Sequence, residues 1–297
     1  MTGWLAIVNR HSGGNDACGR SPELVRHLGQ IADKTVFTEY PGHAADLARD
    51  AKDYYGLAAV GGDGTLFEIL RGLNREKQRI AIIPSGRGNS LARDLGLLGS
   101  APSIDVINCN SPSYVDLLEV TFQTTAGREL QLLSASTVAL GYPVAVAKAA
   151  RQFSRLGSFC YAASTSTVRP VPFAVETSCG NGIALKRRVS GLIANNTRHL
   201  ANFLAFPKSN CADGFFELME LSAGFFWQTA HNVSALLGAR FYNPCQPVTT
   251  QRAYVRLDDP QDLMIDGEFY EDTVSIRIQI LPSALACSRR IQLTRSN

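Results

Sequence analysis

From Met1 to about Asn110 the chain alternates two hydrophobic textures. Apolar runs of strand length stand at Trp4–Val8, Thr35–Phe37, Leu57–Val60 and Ile80–Ile83. Between them apolar residues recur at helical spacing: Ala44, Leu47, Ala48 and Ala51, then Leu66, Ile69, Leu70 and Leu73, then Leu91, Leu95 and Leu98. Alternation of helices with near-continuously apolar strands predicts a parallel α/β domain. Ligands of such a sheet sit beyond the carboxyl ends of its strands. Glycine clusters fall at those ends: His11-Ser12-Gly13-Gly14, Pro41-Gly42, Gly61-Gly62-Asp63-Gly64 and Pro84-Ser85-Gly86-Arg87-Gly88.

After residue 113 the texture changes. Tyr114–Phe122 and Glu129–Leu133 read as strands joined by a polar hairpin loop. A helical passage follows, with Val144, Ala147, Lys148 and Arg151 in register, then a second around Phe159–Thr167, closed by Pro170 and Pro172. Beyond it short β segments dominate: Phe173–Thr177, Val189–Ala194, Phe215–Leu221, Arg252–Leu257, Leu263–Ile265 and Thr273–Ile280. The pattern predicts an α/β domain over 1–113 and a mainly antiparallel β-sandwich over 114–297, with an active site in the cleft between them.

Composition narrows the function classes. The 297 residues are 45% hydrophobic and 19% charged, which is globular. Lys+Arg number 29 against 26 Asp+Glu; a net +3 gives no argument for nucleic acid. Seven cysteines, at 18, 109, 160, 179, 211, 245 and 287, contain no CxxC pair, which points to reduced thiols in a cytoplasmic protein. Trp4–Val8 is too short for a signal segment, and no run nears the roughly 18 apolar residues of a membrane span. The secreted and integral-membrane classes are set aside.

Gly61-Gly62-Asp63-Gly64-Thr65 follows a strand and opens a helix. Residues without Cβ let backbone N–H groups approach a polyphosphate, and Thr65 lies where the helix dipole favours an anion. Asp63 has the wrong charge to touch phosphate; it either bridges through Mg²⁺ or water, or orients the glycine loop. One strand later, Pro84-Ser85-Gly86-Arg87-Gly88-Asn89 repeats the arrangement and widens the cradle.

The pairing of Gly-Gly-Asp-Gly-Thr with Pro-x-Gly-x-Gly-Asn resembles the diacylglycerol kinase catalytic-domain family, which also holds sphingosine, ceramide and bacterial lipid kinases. Asn9-Arg10-His11-Ser12-Gly13 is similar to the family's first loop, and Thr38 before Gly42-His43-Ala44 to its second. Ala212-Asp213-Gly214-Phe215-Phe216 and Asp266-Gly267-Glu268 match two later signatures. The resemblance implies a Rossmann-like nucleotide domain and an ATP- and Mg²⁺-dependent lipid kinase. Asn9, Ser12, Gly13, Thr38, Gly61, Gly62, Asp63, Gly64, Thr65, Gly86, Arg87, Gly88 and Asn89 would hold the nucleotide. Glu268 would be the base that takes the acceptor's proton, with Asp63 beside it in the catalytic set. Asn210, Asp213 and Phe215 would hold a structural Mg²⁺, and Asp116 would join the nucleotide–metal network. A lipid substrate implies peripheral contact with the inner membrane face, and a homodimer remains open.

The chain departs from the family at Arg87, where Thr or Ser is usual, at Phe67, and at Arg10. Arg87 is read as a phosphate contact, with a solvent-pointing or a pocket-blocking arginine as alternatives. Two other functions compete: an NAD kinase-like enzyme, which shares the Gly-Gly-Asp-Gly loop, and a non-catalytic nucleotide-binding relative. Lys148, Arg151, Arg155 and Arg169, interleaved with Phe153, Leu156, Phe159 and Tyr161, suit a membrane surface or simply a cationic helix face.

Overall fold

The computed structural model describes residues 3–12, 22–86, 88–98, 112–152, 164–165, 167–180, 182–200, 203–204, 206–222 and 247–288. Gly13 and Arg87 lie outside these, as do Cys18, Cys109, Cys160, Cys245 and most of the second helical passage. The chain divides into two units, Met1–Asp116 with Ser283–Asn297, and Leu117–Pro282. The expected division put everything after residue 113 in the second domain. It differs because the chain returns at its end: Cys287 and Ser288 pair in parallel with Ile80 and Ala81.

The first unit begins with β1 (Trp4–Val8), α1 (Pro22–Ile31), β2 (Lys34–Phe37), α2 (His43–Asp50) and β3 (Gly56–Gly61). It continues with α3 (Asp63–Leu70), β4 (Arg79–Pro84) and α4 (Ser90–Asp94). Strand order is β2-β1-β3-β4, and every pairing is parallel. β1 and β3 are buried along their whole length, which is why they read as unbroken apolar runs. Parallel strands put all their carboxyl ends on one side, so the four loops rich in glycine and polar residues gather there. α1 was not anticipated; it buries Leu24 and Leu28, one helical turn apart.

The second unit takes up the chain within β5 (Pro112–Thr124), followed by β6 (Glu129–Ser134), β7 (Thr137–Gly141) and α5 (Tyr142–Gln152). After these come β8 (Phe173–Cys179), β9 (Leu185–Asn195), β10 (His199–Leu200) and β11 (Phe203–Leu204). β12 (Phe216–Ser222), β13 (Val248–Thr250), β14 (Arg252–Ile265) and β15 (Glu268–Ser288) complete it. The pairings β5–β6, β7–β9, β7–β14, β8–β9, β8–β14, β9–β12, β12–β13 and β14–β15 are antiparallel, as expected. Where two facing sheets were expected, one hydrogen-bonded path links β13, β12, β9, β7, β14, β15, β5 and β6, with β10–β11 apart. Arg252–Leu257 and Leu263–Ile265 belong to one strand whose register shifts between Arg256 and Leu263.

β7 and β8 occupy a single slot between β9 and β14. β7 covers Gly191–Asn195 and Leu263–Ile265, while β8 covers Leu185–Val189 and Ala253–Leu257. Residues 142–172, which carry α5, are thus an excursion inserted into what is otherwise one strand. Gly141 makes the exit at φ +70; a Cβ there would meet Phe173 at 2.5 Å and the Ser190 carbonyl at 2.7 Å. α5 folds back to bury Tyr142, Val144 and Val146 against Ile193, Met219 and Met264.

Candidate active site

In the first unit three loops converge beyond β1, β3 and β4. A Cβ on Gly62 would lie 3.0 Å from the Gly86 Cα and 3.5 Å from the Ser12 Oγ. A Cβ on Gly86 would lie 2.4 Å from the Gly62 Cα. Real Cβ atoms do not approach backbone as closely as 2.4 Å, so Gly86 is required for the two turns to touch, while a Cβ on Gly62 would be a tight contact that presses on Gly86. Ser85 N–H donates to the Gly61 carbonyl at 2.9 Å and holds them together.

Polar side chains fix each loop. Asn9 Nδ2 donates to Thr65 Oγ1 at 3.0 Å, and Asn9 Oδ1 accepts from His11 N–H at 2.9 Å. The first loop is thereby tied to the first turn of α3. Asn89, at φ 51, clasps Gly86 on both sides, accepting from its N–H at 3.1 Å and donating to its carbonyl at 2.6 Å. Asn is among the few residue types that occupy this left-handed region readily. Asp63 accepts from Ser90 N–H at 2.8 Å and so caps α4. Of the two readings of Asp63, this contact supports the orienting one.

The second loop is held by a residue that the sequence did not single out. Glu68, on α3, accepts from Gly42 N–H at 2.9 Å and Ala44 N–H at 3.2 Å, capping α2. Thr38 stands at the end of β2, its N–H on the Val8 carbonyl at 3.0 Å. Two of the departures are accounted for. Phe67 is a fully buried core side chain, and the Arg10 guanidinium lies 3.8 Å from the Phe37 ring centroid.

Asp116 is buried and accepts from Ser283 N–H at 2.7 Å, joining the two points where the chain leaves and re-enters this unit. In the second unit, Asp213 is exposed and one of its oxygens accepts from Phe215 N–H at 3.0 Å. Asp213–Phe215 is therefore an Asx turn leading into β12. Asp213 supplies one carboxylate, with one oxygen engaged in the turn, so a Mg²⁺ held here with the Asn210 and Phe215 carbonyls would keep several waters. Among the described residues no group of three or more His, Cys, Asp or Glu could hold a metal ion.

Asp266-Gly267-Glu268 forms the tight turn between β14 and β15, with φ 47 at Asp266 and φ 93 at Gly267. Asp266 is buried. Its Oδ1 accepts from Ser134 Oγ at 2.8 Å, Ser136 N–H at 3.1 Å and Thr137 N–H at 2.8 Å, and its Oδ2 from Ala135 N–H at 2.7 Å. Burial pushes its pKa up, while these donors pull the other way. Glu268, half-buried, pairs with Ile265 as the first residue of β15.

Lys148 and Arg151, read as surface charges, are engaged within the unit: Lys148 pairs with Asp262 at 2.6 Å, and Arg151 donates to the Gly267 carbonyl at 2.6 Å. Among the described residues no helix is long and apolar enough to cross a membrane.

The family model described as the diacylglycerol kinase catalytic domain matches residues 3–120, which carry all the converging loops. The diacylglycerol kinase of Bacillus subtilis is 23% identical over 277 residues, covering 82% of this chain and 84% of that one. Sphingoid long chain base kinase 5 of Saccharomyces cerevisiae is 34% identical over 103 residues, 27% of this chain and 15% of the yeast protein. Sphingosine kinase 1 of Arabidopsis thaliana is 31% identical over 153 residues, 46% of this chain and 31% of that protein. The chain thus spans less than a third of either eukaryotic relative. In fold it is similar to a crystal structure of a diacylglycerol kinase from Bacillus anthracis str. Sterne, with a TM-score of 0.76, 20% identity and 98% of each chain covered. The paired glycine turns thus lie within a stretch that matches the diacylglycerol kinase catalytic domain, and the fold is similar from end to end to that of a bacterial diacylglycerol kinase.

Proposed function

We propose that the protein is an ATP-dependent lipid kinase, transferring the γ-phosphoryl group of ATP to the hydroxyl of a diacylglycerol- or sphingoid-type lipid. The observation that carries this reading is the approach of Gly62 to Gly86 with Ser12 Oγ beside them. Three loops stripped of side-chain bulk leave backbone donors of the α3 first turn accessible to a polyphosphate. Ser12, Gly62, Thr65, Gly86 and Asn89 fit that group, with Asn9 and Asp63 holding the loops in place. Mg²⁺ carried on the nucleotide would offset the negative charge of the phosphates.

Glu268 is the proposed base. As the lipid oxygen bonds to the γ-phosphorus, the bond to the β–γ bridging oxygen breaks and ADP departs. The hydroxyl proton passes to the Glu268 carboxylate. The names of the relatives support both lipid classes and favour neither.

The test is transfer of label from [γ-³²P]ATP with Mg²⁺ to mixed micelles of diacylglycerol, a sphingoid base or ceramide, with NAD as a further acceptor. Label in an organic-extractable product is expected. Label only in NADP, or in no product, overturns the reading.

A further inference from the structure

The turn presenting Glu268 is gripped from two directions. From within, Asp266 gathers four donors supplied by residues 134–137. From outside, the last turn of α5 reaches its tip: Arg151 Nη2 donates to the Gly267 carbonyl at 2.6 Å, with its guanidinium 4.4 Å from the Phe269 ring centroid. One turn earlier, Lys148 pairs with Asp262 at 2.6 Å and lies 5.5 Å from the same ring.

Across the hairpin Ile265 opposes Glu268 and Met264 opposes Phe269. Successive strand residues face opposite sides, so Phe269 points toward α5 and its buried cluster while Glu268 points away. Arg151 therefore acts on Glu268 through the backbone. The carbonyl it holds belongs to the peptide joining Gly267 to Glu268. That peptide follows a glycine at φ +93, the residue type that restrains it least. The N–H held on that carbonyl, from a guanidinium lying over the Phe269 ring, restrains the peptide plane and with it the direction of the Glu268 side chain.

We infer that Arg151 is a positioning residue for the base, so that the excursion between β7 and β8 sets the geometry of the acceptor step. This rests on the reading of Glu268 as base. The experiment uses the full chain and four variants: Arg151→Met, which keeps an apolar stem over Phe269, Arg151→Lys, Glu268→Gln, and Arg151→Met in the Glu268→Gln background.

Arg151→Met should lower kcat by about 10–10²-fold, the scale of a slightly misplaced reacting group, with the KM for ATP and the thermal midpoint little changed. Arg151→Lys, which can still donate to the carbonyl, should recover part of the loss. In the Glu268→Gln background the same Arg151→Met change should cost no more than about twofold, since its effect runs through the missing base. An equal fold loss in both backgrounds, or a normal kcat in Arg151→Met while Glu268→Gln is crippled, overturns the positioning role alone. Normal turnover in Glu268→Gln overturns the base and this inference with it.

Discussion

The carboxylate of Asp63 accepts the backbone N–H of Ser90 at 2.8 Å, so the aspartate of one glycine turn caps the helix that follows the other. The two turns are one structure, and the acidic residue of the glycine-rich turn has a mechanical use. Replacing Asp63 by Ala should cost about 0.5–2 kcal/mol, the usual worth of a helix cap. Asp63→Asn, which retains an acceptor oxygen, should lose less than half as much. Urea unfolding of the two variants checks this; equal losses would speak against the cap.

Gly86→Ala places a Cβ 2.4 Å from the Gly62 Cα and 2.9 Å from Asn89 Oδ1. The turns must part to admit it. Stabilisation of the folded protein by ATP–Mg²⁺ should then vanish from thermal unfolding curves while the apo protein still melts cooperatively. An unchanged ligand-induced shift would make the close approach irrelevant to nucleotide.

Asp116→Ala removes a buried acceptor of the N–H of Ser283, an exposed residue held at φ 53. Loss of this hydrogen bond should cost about 0.5–1.5 kcal/mol, the usual net worth of one. The check is the denaturant midpoint of Asp116→Ala against wild type, and a shift within error contradicts the role.

Much of the first unit is legible in the sequence because its cues are local: buried strands read as apolar runs, and the turns that follow them as glycine clusters. The caps are not legible. Asp63 meets Ser90, and Glu68 meets Gly42 and Ala44, at separations of 27, 26 and 24 residues. Nothing in the local pattern of either helix marks those side chains as acceptors. Asp266 was visible as part of a turn, but its partners in 134–137 lie 129–132 residues earlier. The split strand was hidden for the same reason, since β7 and β8 each look complete alone and only their shared neighbours reveal the slot.

Glu217 offers a pH-dependent check on the loop before β12. Burial pushes its carboxyl above the ordinary value; the Ser209 hydroxyl opposes this, and the charge of Asp213 adds to it. A carboxyl raised in the folded state binds its proton more tightly there. Its contribution to stability is full below the unfolded value of about 4.3 and is lost as pH rises through the folded one. Glu217→Gln removes that slope, so the variant should gain on wild type as pH climbs through this window. Parallel stability–pH curves for the two proteins would contradict it.

The central claim is that Glu268 takes the proton of a lipid hydroxyl during phosphoryl transfer. Its most direct test is the turnover of Glu268→Gln on whichever lipid the wild-type protein phosphorylates, with ATP–Mg²⁺ binding measured alongside. Gln matches the side chain in size and cannot accept the proton, so kcat should fall by about 10²–10⁴-fold while nucleotide affinity stays near normal. Turnover within a few-fold of wild type would contradict the account.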